Sequence, residues 1–280
     1  MYYLEPSFSI SCFTGREYIP QNPKGGSYAL ISPCFEKRLK AVVDGGINMI
    51  ELGNCSLGTP GAIIEQMKNV PKVMEVIDKC GAKVKSVHMP FYNGTHMNFS
   101  SLDEDERKLA VYLALKVCKA YDGFGVDYFI IHPGANAGKE YRKQQLDNLC
   151  KSMTELKDSG YKIYVENMIN ENILYSSDEA LYLTSNSPAE MVIDVNHTYF
   201  EAPENYIKRL GSKVKALHIS DRDEVRERHY LPGKGILNFE NIIKTLEEIG
   251  YNGVFNYETE GHKNYSEIIK KHNELFKVQK

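Results

Sequence analysis

Eight short apolar runs, separated by stretches with helical spacing, constrain the fold of this 280-residue chain more than any other feature. The runs occupy residues 8–13, 48–53, 83–88, 127–132, 161–166, 190–194, 214–219 and 253–258. Several of them are continuously apolar rather than alternating, which is typical of parallel strands covered by helices. The repeated alternation predicts an α/β fold, a single (β/α)8 TIM barrel over residues 1–280, with its site at the C-terminal ends of the strands.

Helix-end signals agree with this assignment. The stretch 59–81 begins with Thr59 as an N-cap and Pro60 at the first helical position, and it ends at Gly81, so we expect one helix there. Gly160 and Gly250 stand where two further helices need a left-handed cap. A doubly wound open sheet is the alternative, but it predicts a G-x-G-x-x-G turn after the first strand, and that segment has none.

Composition limits the classes of function. The formal net charge is -3 and the pI about 6.3, and a phosphate-binding face usually shows a basic excess, so nucleic acid is not expected as a partner. The N-terminus does not resemble a signal peptide, and no run of about 18 apolar residues predicts a membrane span. Six cysteines without a C-x-x-C pair indicate small buried side chains in a reducing compartment, and we predict a cytoplasmic location.

Ionisable side chains end seven of the eight predicted strands. Strand 2 ends near Glu51, and in order strands 3 to 8 supply His88, His132, Glu166, Asp194, His218 and Glu258, with His197, Glu227 and His229 in the following loops. In a barrel these positions converge at one mouth. A single histidine at a strand end is more often structural than a ligand, but clustered carboxylates repel one another unless a cation joins them. A divalent metal accepts this mixture of imidazole and carboxylate, so the joint pattern predicts a metal site.

Three histidines fall outside this set. His272 lies in the predicted C-terminal helix and is expected at the surface, while His96 and His262 lie in loops near the mouth. Either loop histidine could touch a substrate, but a structural role is the stronger expectation for both.

The ordered motifs VH.P, IHPG, VEN, ID..H, H.SD, ERH..PG.G and YE resemble those of the xylose-isomerase-like TIM barrel superfamily over residues 83–260. That superfamily includes sugar isomerases and epimerases, inosose dehydratases and endonuclease IV. The resemblance to its ketose epimerases implies one metal held by Glu166, Asp194, His218 and Glu258. It also implies that Glu166 and Glu258 form the acid/base pair, and that His197 contacts the substrate.

The resemblance to endonuclease IV implies a different site, a cluster of three zinc ions. Its additional ligands would be His88, His132, His197, Glu227 and His229. The endonuclease family has Asp where Glu227 stands, so a third metal depends on a side chain that is one methylene longer.

These observations favour a divalent-metal-dependent sugar or sugar phosphate isomerase or epimerase that works by proton transfer through an enediolate. The metal would be Mn, Zn or Co, with Mg ranked lowest because imidazoles bind it poorly. The predicted substrate contacts are His88, His197, Arg228 and Tyr92, with Arg222 and Arg226 as alternatives to Arg228. The expected partner is a small carbohydrate, and a homo-oligomer is left open.

Three other functions remain open at this point. One is an endonuclease IV-like zinc phosphodiesterase that acts on abasic-site DNA, and another is a lyase or dehydratase that acts on a keto-sugar or inosose. The third is a barrel that binds a sugar or a metal without turnover.

Overall fold

A computed structural model describes residues 2–12, 31–53, 59–91, 96–169, 172–261 and 264–277 of the chain. Within these ranges eight parallel strands close into a barrel, each paired with the next and the first paired with the last. The strands are β1 (Pro6–Ser11), β2 (Met49–Gly53), β3 (Lys83–His88), β4 (Tyr128–Ile131), β5 (Ile163–Glu166), β6 (Met191–Asp194), β7 (Val214–Ile219) and β8 (Phe255–Tyr257). The predicted (β/α)8 barrel is therefore confirmed, and only Phe13 of the predicted strands lies outside the described residues.

The α-helices in the described ranges surround this barrel. They are α1 (Phe35–Asp44), α2 (Pro60–Met67), α3 (Val70–Lys79), α4 (Glu104–Ala120), α5 (Arg142–Asp158), α6 (Ser177–Asn186), α7 (Pro203–Leu210), α8 (Phe239–Glu248) and α9 (Ser266–Leu275). Gly160 and Gly250 follow α5 and α8 with φ of +83° and +68°, as predicted for left-handed caps.

The expectation of one helix over 59–81 is wrong. The chain forms α2 and α3 with a break at Lys68 and Asn69. Pro71 explains the break, because it has no N–H to donate and its ring would clash with the carbonyl of Met67 four residues earlier. The predicted cap is present, since the Thr59 side chain accepts the N–H of Ala62 at 3.4 Å.

The barrel interior divides into an apolar lower part and a polar upper part. The lower part is a small cluster of buried side chains from Tyr128, Ile130, Tyr164, Val192 and Ala216. Along a strand, residues two apart point to the same face. Glu166, Asp194 and His218 each lie two residues beyond a member of this cluster, so the same inward direction brings them together at the mouth.

His272 was expected at the surface, and this prediction is wrong. The side chain is fully buried between α9 and the barrel. Its Nε2 lies 2.9 Å from the carbonyl oxygen of Leu4, its Nδ1 lies 3.0 Å from the Tyr257 hydroxyl, and aromatic rings including Phe255 and Phe276 surround it. Burial lowers the pKa of His272 to about 4, so the imidazole is neutral.

The cysteine side chains are free thiols in the described residues. Cys12, Cys118 and Cys150 are buried as predicted, Cys34 and Cys80 are partly buried, and Cys55 lies outside the described residues. In the part of the chain that the structure describes, no helix is both long enough and apolar enough to cross a membrane.

Candidate metal centre

Four predicted ligands from successive strands meet at the carboxyl ends of β5 to β8. Glu166 and Asp194 end their strands with 1% of their surface exposed, His218 is fully buried in β7, and Glu258 directly follows β8. One nitrogen or oxygen atom from each residue lies within 4.8 Å of the corresponding atom of every other. The barrel therefore assembles the four-residue group that the sequence predicts.

Glu166 lies at the centre of the site and faces two sets of histidines. Its Oε1 lies 2.9 Å from Nδ1 of His218, and its Oε2 lies 3.2 Å from Nε2 of His88 and 3.0 Å from Nε2 of His132. His88, His132 and Glu166 form a second group whose ligand atoms lie within 4.8 Å of one another. A single carboxylate therefore joins the two groups.

The charges of this cluster lower the pKa of its acidic group Glu166 and raise the pKa of its basic group His218. Burial alone would raise the pKa of Glu166 and lower the pKa of His218. The attraction between them is stronger, so the pKa of Glu166 lies well below its ordinary range and the pKa of His218 well above it. Without a metal, a protonated His218 is therefore the counter-charge of the surrounding carboxylates.

Asp194 contributes a buried oxygen that could bind a cation. Its Oδ1 accepts the N–H of Asn196 at 2.7 Å, but its Oδ2 is buried without a hydrogen-bond donor, and Nε2 of His197 lies 3.3 Å away. Burial, with the charges of Glu258 and Glu166, raises the pKa of Asp194 to about 7. A buried carboxylate oxygen without a partner is costly. A divalent cation bound by these mixed oxygen and nitrogen donors would satisfy it, so the residues fit a metal.

Three other histidines are oriented by backbone carbonyls. His88, His197 and His229 place Nδ1 at 2.9, 2.7 and 2.9 Å from the carbonyl oxygens of Met89, Asn167 and Glu258, respectively. Because a carbonyl only accepts hydrogen bonds, Nδ1 carries the proton and Nε2 is directed towards the carboxylates. This orientation is common among metal-binding histidines.

The loop after β7 brings Glu227 and His229 into the same site. Glu227 Oε1 lies 3.3 Å from Nε2 of His197 and 3.0 Å from Nε2 of His229. These hydrogen bonds hold the pKa of Glu227 well below its ordinary value. Burial alone would lower the pKa of His197 and His229, but the neighbouring negative charges outweigh it and raise both pKa values to about 10. Although Glu227 is one methylene longer than the Asp of the endonuclease family, its carboxylate therefore still meets the candidate ligands His197 and His229.

Two predicted substrate contacts remain, Tyr92 and Arg228. Tyr92 lies outside the described residues. The Nε of Arg228 donates to Asp223 at 2.7 Å, and Arg228 does not line the described cavity. Asp223 also accepts the backbone N–H groups of Val225 and Arg226, so the loop folds back on itself and engages Arg228 locally. The structure therefore gives no support to Arg228 as a substrate contact.

An open cavity of about 860 Å³ lies over the cluster. Carboxylates and imidazoles line it together with apolar side chains, including Phe8, Phe91 and Met168. The Phe91 ring stacks on His132 with ring centroids 5.2 Å apart. Among the described lining residues, Arg38 is the only Lys or Arg. The cavity suits a small polar molecule better than a polyanion.

The chain is a closed (β/α)8 barrel with imidazoles and carboxylates at the carboxyl ends of its strands. Its class is therefore that of (β/α)8 barrel proteins with a candidate metal centre at the mouth. The model of the xylose isomerase-like TIM barrel family matches residues 39–278. The chain therefore belongs to this family.

Relatives of two kinds carry names that state an activity. Fructoselysine 3-epimerase of Shigella flexneri is 24% identical over 167 residues, which cover 56% of this chain and 58% of that protein. A probable endonuclease 4 of Finegoldia magna is 23% identical over 199 residues, which cover 64% of this chain and 70% of that protein. The crystal structure of a D-tagatose 3-epimerase-like protein superposes with a TM-score of 0.74 at 20% identity over 97% of each chain, which shows a shared fold.

Proposed function

We propose that this protein is a divalent-metal-dependent isomerase or epimerase of a sugar or sugar phosphate. The observation that carries the proposal is the group of Glu166, Asp194, His218 and Glu258, in which a buried oxygen of Asp194 has no hydrogen-bond donor. The similarity to fructoselysine 3-epimerase and the fold shared with a D-tagatose 3-epimerase-like protein support the sugar as substrate class.

The four residues would hold a single divalent cation. Mn, Zn or Co suits their mixed nitrogen and oxygen donors, whereas Mg is the weakest candidate. When bound, the cation would polarise the substrate carbonyl and acidify the neighbouring C–H. The buried carboxylates place this centre at the bottom of the cavity, below the space that a sugar would fill.

Glu166 and Glu258 are the acid/base pair in this proposal. Burial opposes ionisation of both, but the charge of His218 lowers both pKa values, that of Glu258 to about 2, so both are carboxylates near neutral pH. About a third of the Glu258 side chain is exposed to the cavity, whereas Glu166 is buried. One carboxylate would remove a proton from carbon on one face of the sugar. The other, after taking up a proton from solvent, would deliver it to the same carbon on the opposite face, and the first would then release its proton to solvent.

The histidines around this pair would hold the substrate. His88 and His197 line the cavity floor beside Glu166, so their ring nitrogens can contact sugar hydroxyls. Phe91, which lines the same cavity, would pack against the C–H face of the sugar.

Proton exchange tests the proposal. Metal-loaded protein in heavy water should exchange the α-proton of both epimers of a ketose from a substrate panel. In Glu258→Gln, exchange from the epimer whose proton faces Glu258 should fall more than about 1000-fold, because no base remains on that side. Glu260→Gln is the matched control, since Glu260 lines the same cavity but stands outside both candidate ligand groups of the described residues. Glu258→Gln that exchanges the α-proton of both epimers at the wild-type rate would contradict the acid/base assignment. NMR of the products also separates an epimer from a dehydrated product.

A specific observation favours a second candidate, the zinc phosphodiesterase. His88, His132 and Glu166 could hold another cation. Glu227 also lies within hydrogen-bond distance of His197 and His229, as a further metal bound by these three residues would require. The similarity to a probable endonuclease 4 supports it, whereas the net charge and the scarcity of basic residues around the cavity do not. Two or three zinc ions per chain together with nicking of abasic-site DNA would establish this function. A single metal per chain would rule out the cluster.

A further inference from the structure

His218 differs from the other histidines of the site in what orients it. The three histidines described above use a backbone carbonyl at Nδ1. His218 instead directs Nδ1 at the carboxylates of Glu166 and Glu258, at 2.9 and 3.1 Å, and its Nε2 has no backbone acceptor. The atom close to Nε2 is Oε1 of Glu51, at 3.0 Å. The ring nitrogen of His218 that points away from the other candidate ligands thus faces a side-chain carboxylate, whereas the corresponding nitrogen of the other three histidines faces a backbone carbonyl.

Glu51 is held firmly in this place. Its side chain is buried in the barrel on β2, with 1% of the residue exposed. Ser9 of β1 donates to its Oε1 at 2.9 Å, and Ser86 of β3 donates to its Oε2 at 2.8 Å. Asn256 of β8 in turn donates to the Ser9 hydroxyl at 2.8 Å. Polar groups from three neighbouring strands thus fix the carboxylate that faces His218.

Glu51 is also separate from the candidate ligands. In the described residues it lies outside both groups whose atoms could share a cation. Its Oε2 is directed towards Ser86, and its Oε1 approaches the side of His218 that faces away from Glu166. The Nε2–H does not point straight at Oε1, so the contact is a close charge pair that holds the ring rather than a well-aligned hydrogen bond.

We propose that Glu51 is a positioning residue for His218, which keeps the proton on Nε2 and presents Nδ1 to Glu166 and Glu258. A carboxylate behind a metal-binding histidine fixes the ring and makes it a better donor, and loss of such a partner typically weakens metal binding about 10- to 100-fold. This inference rests on the proposed metal dependence, and it adds a residue from β2 to a site otherwise built from β3 to β8.

Cobalt(II) titration of the metal-free protein tests it without reference to catalysis. Glu51→Gln keeps the size of the side chain but removes its charge and can turn an N–H towards His218. We expect its cobalt affinity to fall about 10- to 100-fold and the visible absorption band of bound cobalt to shift. Glu179→Gln is the matched control, because Glu179 is a largely buried carboxylate that pairs with Arg142 and lies outside both candidate ligand groups of the described residues, so it should bind cobalt like the wild type.

The outcomes separate the two proposals. Wild-type binding with an unchanged affinity and spectrum in Glu51→Gln would overturn the role of Glu51 and leave the metal centre intact. A wild-type protein that binds neither cobalt, zinc nor manganese would instead overturn the proposed function. If Glu51→Gln lacks a cooperative unfolding transition, Ser86→Ala replaces it, since it removes only one donor to the carboxylate. A several-fold loss of affinity in Ser86→Ala supports the inference, and wild-type affinity overturns it.

Discussion

His218 and His272 are both fully buried, yet their surroundings give them opposite chemical states. Carboxylates of Glu166, Glu51 and Glu258 surround His218 and outweigh its burial, so its pKa is raised. His272 lies among aromatic rings, and burial lowers its pKa to about 4. A neutral His272 can donate from Nε2 to the carbonyl of Leu4 and accept the Tyr257 hydroxyl at Nδ1. Burial alone therefore does not mark a functional histidine, whereas the charge of its neighbours does.

Matched replacements should separate the two histidines most strongly in metal binding. His218→Leu removes a candidate ligand, so we expect its affinity for cobalt or zinc to fall by more than about 100-fold, beyond the loss typical of an outer partner. His272→Leu should bind the metal within about twofold of the wild type, since it touches no candidate ligand. Calorimetric titration of both metal-free variants measures the difference. Equal losses in the two would break the distinction between the regions.

The pH dependence of the unfolding free energy should reveal the protonation state of His272, which metal binding does not report. Since the pKa of His272 falls from 6.5 in the unfolded chain to about 4 in the folded protein, the unfolded state binds the proton more tightly. Its contribution is present above pH 6.5 and is lost as the pH falls towards 4, by an amount on the order of 3 kcal/mol. The unfolding free energies of wild-type and His272→Leu protein in urea with chelator should therefore differ less at pH 4 than at pH 7.5. A constant difference across this range would contradict the neutral buried imidazole.

A smaller effect tests whether the two regions are independent. Tyr257 donates to His272, while the next residue, Glu258, belongs to the candidate metal group. Tyr257→Phe removes one buried hydrogen bond and should lower the unfolding free energy by about 1 kcal/mol. Because successive residues of a strand point to opposite faces, metal affinity should not change. A loss of metal affinity in this variant would show that the two regions are coupled.

The barrel and the position of its site could be predicted from the sequence because both follow local periodicity. Parallel strands end at the same mouth, so ionisable residues such as Glu166, Asp194 and His218 had to meet there once the alternation of strands and helices was recognised. The break before Pro71 had a visible local signal, yet the apolar spacing continues across it and concealed the end of α2.

The remaining features depend on contacts between residues distant in the sequence. Glu51 appears at the end of its strand, but a role for it requires the register that brings Ser9, Ser86 and His218 around it. His272 looks like a surface residue because the sequence of α9 does not reveal that this face packs on Leu4 and Tyr257. Arg228 lies between Glu227 and His229 in sequence, but its side chain donates to Asp223 of the same loop.

Each strand from β3 to β8 supplies one member of the candidate site in or directly after its last residues, and this distribution has a consequence for folding. The four residues proposed to hold the cation come from β5 to β8, in the second half of the chain, whereas Glu51, His88 and His132, which face them, come from β2 to β4 in the first half. A bound ion would stabilise the folded barrel over any form in which β5 to β8 have not yet paired. Separated halves of the chain would therefore differ, since only the second half carries all four proposed ligands, and reassociation with the first half should raise its metal affinity by restoring Glu51 beside His218.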